Sequence, residues 1–169
     1  MNPGNGGWAI VISLVAALIL AVLHLPEWWP QWLGWLRPDW IAMTVFFWVL
    51  AVPHRFGLVA AWLLGLLVDV LYAEPLGLNG AVLAVFTYIT WSLYERLRMF
   101  SALQQAFILF CLLLLAEFVR MLGLVLLVER ELQFGFVIVA LASALLWPCL
   151  LYTSPSPRDA TLSRMPSSA

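Results

Sequence analysis

The sequence holds no lysine; its eight basic residues are all arginine, and charged side chains make up only 10% of its 169 residues. Soluble domains carry about 25% charged residues, so this surface is poorly supplied with the groups that water requires. A net charge of −1 removes the basic field that would point to nucleic acid. The two cysteines, Cys111 inside an apolar run and Cys149 near the end, give neither a disulfide framework nor a metal-ligand spacing. A glycine-rich phosphate loop, a zinc spacing and a G-x-S-x-G elbow are likewise missing. No residue stands out as a nucleophile, and the expectation is a non-enzymatic protein without cofactor or metal.

What the chain has instead is apolar length, with 64% hydrophobic residues. A chain this short cannot hide so much apolar surface in one water-soluble core. Apolar runs cover 8–25, 40–52, 56–73, 78–94 and 103–128, and a last one begins at 134. A bilayer core about 30 Å thick needs roughly 20 such residues in a helix. Only helices and closed barrels satisfy the backbone there, and these runs are too long and too continuous for barrel strands. The expected fold is therefore all-α: a polytopic membrane helix bundle of about six transmembrane helices, forming a single transmembrane domain over 1–148. The first run lacks a basic n-region and a small-residue cleavage site, so it reads as a retained helix. Pro26, Pro30, Pro53, Pro75 with Gly77, and the charged clusters around Glu95 and Glu129 separate the runs.

From Cys149 the composition changes. Residues 149–169 resemble the in-frame translation of a sequencing-library adapter followed by a flow-cell primer; the alternative is a genuine Pro/Ser-rich disordered tail. On the first reading the native protein continues beyond Pro148 with other residues, and 149–169 stand outside the fold.

The connection 26–37 carries Trp28, Trp29, Trp32 and Trp35. Tryptophan collects at the headgroup layer, so this segment is expected to lie flat on the membrane or, alternatively, to form an aromatic patch for a partner. Arginine placement sets the orientation. Arg55, Arg96 and Arg98 fall on one side, Arg37 and Arg130 on the other, which favours a cytoplasmic N-terminus.

Ionisable groups at membrane depth cost about 2.5–3.5 kcal/mol each on insertion scales, so each needs a reason. Asp69 shares a helix face with Trp62, Gly65 and Tyr72, and Gly65 permits close helix approach. Asp69 is either a structural bond at a helix contact, a partner contact or buried switch, or a proton or substrate site. Glu117 and Arg120, three residues apart, form an intramembrane charge pair, structural or functional. Arg120 would also reach Asp69 if their helices were neighbours. His54 and Glu129 to Glu131 read as solvated loop residues.

Several motifs stand in a fixed order: Arg37-Pro38-Asp39-Trp40, Pro53-His54-Arg55-Phe56-Gly57, Gly65 with Asp69 followed by Pro75-Leu76-Gly77, and Glu95-Arg96-Leu97-Arg98-Met99-Phe100. Over residues 1–148 this pattern resembles the MreD family of rod shape-determining membrane proteins. The resemblance implies a multi-pass protein of the bacterial inner membrane and a place in the cell-wall elongation machinery. MreC would be the main partner, with MreB, RodZ, RodA and the elongation transpeptidase in the same assembly. It also implies a fold similar to the substrate-binding subunits of energy-coupling-factor transporters, although a shared fold does not carry function. The positions it singles out, for partner binding or for structure, are Arg37, Pro38, Asp39, His54, Arg55, Gly65, Asp69, Pro75 and Gly77. The competing function is the membrane subunit of a vitamin-type importer. That reading requires a polar cavity, with Thr87, Thr90, Ser92, Glu117, Arg120 and Asp69 as its only candidate lining.

Overall fold

The structure, a computed structural model, describes residues 5–22, 38–53, 56–128 and 135–153. The whole tryptophan-rich connection with Arg37, then His54, Arg55, the acidic cluster at 129–131 and residues 154–169 lie outside the described residues. Among the described residues there are seven helices and no strand: α1 (Asn5–Val22), α2 (Trp40–Ala51), α3 (Leu58–Tyr72), α4 (Leu78–Ser92), α5 (Tyr94–Leu97), α6 (Ala102–Val128) and α7 (Phe136–Thr153). The all-helical expectation holds. The six apolar runs correspond to α1 to α4, α6 and α7, with ends moved by up to three residues. The short α5 replaces what reads in sequence as a charged turn. It forms because Leu97 is fully buried while Glu95 and Arg96 stay outside, an amphipathic split too short to register as a period. The helix α7 continues past Pro148 as far as Thr153.

Three consecutive pairs build the molecule: α1 with α2, α3 with α4, and α6 with α7. The helix α4 also packs on α2 and α6 and so joins the pairs. Twelve-residue α2 is apolar on every side, and Ile41, Ala42, Met43, Val45, Phe46 and Val49 are all buried. A helix apolar all round belongs in an interior or in a membrane. Phe46 holds the centre, with its ring centroid 4.8 Å from that of Trp147 in an edge-to-face contact and 6.3 Å from that of Phe86.

Burial is inverted relative to a water-soluble domain. Asp69, Thr90 and Ser143 are fully buried, whereas Leu103, Leu126, Trp8 and Phe107 are mostly exposed. An apolar exterior of this extent marks a surface that meets something other than water. By length and composition one helix, α6, is long and apolar enough to cross a membrane; α1 to α4 and α7 are apolar but shorter.

The tightest joint is between α3 and α4. A methyl group at Gly65 would overlap the backbone of Asn79 and Gly80, and one at Gly80 would press on Trp62 at 3.3 Å. Only hydrogen at Gly65 allows this approach, the use of small residues expected at a membrane helix contact, and Gly80 keeps the facing surface low. The helices α4 and α6 also come close where Gly123 faces the side chain of Leu78.

Candidate functional site

The turn between α3 and α4 is built around one carboxylate. Residue Ala73 ends α3 in the left-handed conformation at φ 51°, and Glu74 N–H donates back to Asp69 O at 2.9 Å. Pro75 follows, then Gly77 at φ 97°, which starts α4. This path brings the first amides of α4 onto Asp69. Oδ2 accepts from Gly77 N–H at 2.7 Å, while Oδ1 accepts from Asn79 N–H at 2.9 Å and from Asn79 Nδ2 at 2.8 Å. Asp69 thus caps the next helix from the helix before it. It satisfies amides that have no intrahelical partner and sits at the positive end of the α4 dipole. Its side chain is fully buried and engaged within the chain.

A second network continues from Asn79, whose Nδ2 also donates to Glu74 Oε2 at 2.6 Å. Glu74 Oε1 lies 3.5 Å from Arg120 Nη1, and Arg120 Nη2 and Nε donate to Glu117 Oε2 at 3.0 and 3.2 Å. The Glu117–Arg120 pair forms as its spacing allows. Arg120 does not reach Asp69; it reaches Glu74, because α6 packs against α4 and so meets the turn that carries Glu74. Glu74 falls between two apolar runs in the sequence, where a solvated side chain is expected, yet its side chain is only 7% exposed. A turn residue becomes buried when the neighbouring helix extends beyond it, and no local pattern carries that information.

Asp39 caps α2 in the ordinary way, with Oδ1 accepting from Ile41 N–H at 3.1 Å and Ala42 N–H at 3.0 Å. Its own N–H donates to Ser143 Oγ at 2.9 Å, which ties α7 to the start of α2. Pro38 precedes it and accepts from Trp40 N–H at 3.0 Å through its carbonyl. Of the positions singled out in the sequence, the structure joins Gly65, Asp69, Pro75 and Gly77 in one turn, and brings Asp39, Glu117 and Arg120 around one cavity. Sequence reading misses Glu74, Asn79, Gly80 and Ser143. The pair Asn79-Gly80, one residue beyond the helix-starting Gly77, is the signal that could have marked two of them.

The cavity measures about 200 Å³ and lies between the start of α2, the α3–α4 joint and the middle of α6. Asp39, Asn79, Glu117 and Arg120 supply its charged and amide groups; Val68, Val82, Leu83 and Val139 are among its apolar walls. Thr90 is closed on its own helix, donating to Phe86 O at 2.7 Å, and neither Thr87 nor Ser92 lines the space. Among the described residues no group of three His, Cys, Asp or Glu converges as a metal site. The arrangement can hold a positive charge or a hydrogen-bond donor; it offers no paired nucleophile and base.

Comparison with known proteins gives a consistent answer. The family described as rod shape-determining protein MreD matches residues 5–153. A rod shape-determining protein MreD of Haemophilus influenzae (strain ATCC 51907 / DSM 11121 / KW20 / Rd) is 32% identical over 146 residues, covering 83% of this chain and 85% of that one. No solved structure matches the chain.

Proposed function

The chain belongs to the MreD family of rod shape-determining proteins, and on that premise we propose that it is a non-enzymatic scaffold of cell-wall elongation in the bacterial inner membrane. The observation that carries this reading is the family match across nearly the whole helical chain. The inverted burial agrees with it, since a bundle that turns leucine and phenylalanine outward is suited to lipid.

In this reading α1 to α4, α6 and α7 are six spans. The 12 residues of α2 reach only about 18 Å, short of a full hydrocarbon layer, so the bilayer thins or the buried polar end is hydrated. With the N-terminus in the cytoplasm, the end that holds Asp39, Glu74 and the start of α4 faces the periplasm. The bundle binds the membrane segment of MreC and relates periplasmic peptidoglycan synthesis, through the elongation transpeptidase and RodA, to cytoplasmic MreB and RodZ. The importer reading is not favoured. A cavity of about 200 Å³ is below the roughly 300 Å³ at which small-molecule pockets begin.

Complementation tests the role. A rod-shaped bacterium depleted of its own MreD and expressing this chain is expected to regain its cylinder. Spherical cells, with the protein present in the membrane by blot, would count against the proposal.

A further inference from the structure

The cavity is over-supplied with hydrogen-bond acceptors. Two carboxylates, Asp39 and Glu117, line it beside one guanidinium, and Arg120 already divides itself between Glu117 and Glu74, which lies outside the lining. Among the described residues, Asp39 Oδ2 and Glu117 Oε1 accept no hydrogen bond. Asn79 adds a third open acceptor. It is 6% exposed and lines the cavity, and its amide nitrogen is fixed between two carboxylates, Asp69 and Glu74. Only the nitrogen can donate to both, so the amide oxygen is turned away from them and accepts no hydrogen bond among the described residues. With more carboxylates than guanidinium, the cluster keeps a net negative charge, and its open acceptors at the cavity favour a further cation.

We propose that this cavity receives the charged head of a lysine or arginine side chain carried by a membrane-embedded or juxtamembrane segment of a partner protein. The inference rests on the scaffold reading and names the chemistry of its contact. Apolar walls at Val68, Val82, Leu83 and Val139 suit the methylene stem, and the open acceptors at the polar end suit its ammonium or guanidinium. A metal ion is a poor occupant, because among the described residues no three ligating side chains converge. A phospholipid amine is also disfavoured. It brings its phosphate along, and Arg120, the cation that lines the cavity among the described residues, is already held by two carboxylates.

Photo-crosslinking tests the contact in the intact chain, in the complementation strain. The photoreactive amino acid p-benzoylphenylalanine replaces Val139 in the cavity wall, and in a control it replaces Val85, which is 55% exposed on α4. The adduct is mapped by mass spectrometry. At position 139 it is expected within about one helical turn of a lysine or arginine in a membrane-proximal segment of a partner, and not at position 85. Its yield is expected to fall at least about tenfold when Asp39→Asn and Glu117→Gln are combined. An adduct on phospholipid, on residues 23–37 of the chain itself, or on a partner segment without a basic residue would overturn the proposal. An undiminished yield in the double variant would do the same. If that variant fails to accumulate, the adduct mapped in the charge-intact chain decides. Rods restored by the unaltered chain alongside such outcomes remove this contact alone, whereas spheres with the unaltered chain remove the scaffold reading.

Discussion

At Asp69 one side chain does the work usually spread over a capping residue and the first turn of a helix. Both oxygens are committed, one to Gly77 N–H and the other to two donors of Asn79. Asp69→Asn keeps the shape but turns one acceptor into a donor that must face another N–H. The expected loss is about 1–3 kcal/mol, the range for a buried group left unsatisfied, read as a lower unfolding midpoint in mild detergent. An unchanged midpoint would show that the carboxylate does not hold the turn. The sequence marked Asp69 as a charge needing a reason and Gly65 as a close-approach position, and both belong to the joint. It did not reveal Asn79 or Glu74 as the other participants. Helical spacing says which residues share a face, but not which amide of the next helix will fill a carboxylate.

The connection 73–77 between α3 and α4 shows how an element boundary is fixed by backbone conformation. Its two residues at positive φ, Ala73 and Gly77, carry opposite side-chain costs. Alanine in the left-handed region is strained where glycine is not, so Ala73→Gly is expected to stabilise the protein by about 0.5–1 kcal/mol. Gly77→Ala is expected to destabilise it by about 1 kcal/mol or more, because no compensating contact awaits the new methyl. Thermal unfolding of the two variants should therefore move in opposite directions; shifts of the same sign would contradict the turn geometry. Helix existence was legible from the apolar runs because each is bounded by proline, glycine or charge. The ends were less so: α3 begins two residues after its apolar run and α4 stops two residues before the end of its own, since fraying and capping decide the last turn.

Over the whole molecule, polar groups converge inside and apolar groups cover the outside. Cys111, free and exposed on α6, offers a probe of what surrounds that outside. In proteoliposomes, with Cys149→Ser in the background, Cys111 is expected to resist a charged methanethiosulfonate reagent until the protein is unfolded. A thiol held in hydrocarbon does not form the reactive thiolate. Rapid labelling of the folded protein would place that face of α6 in water and would exclude its insertion.

The last helix is tied to the beginning of the chain at two levels. Ser143 accepts from the backbone of Asp39, 104 residues away, and Trp147 donates to Gln105 at 3.3 Å while packing on Phe46. The α3–α4 joint, by contrast, is complete within 19 residues, from Trp62 to Gly80. A chain made from its N-terminus can therefore finish that hairpin early. The start of α2 keeps an unanswered amide, and Phe46 an uncovered ring, until α7 is synthesised. Until then the growing bundle presents a polar and aromatic seam to the insertion machinery, so biogenesis has a built-in order in which α7 closes that seam.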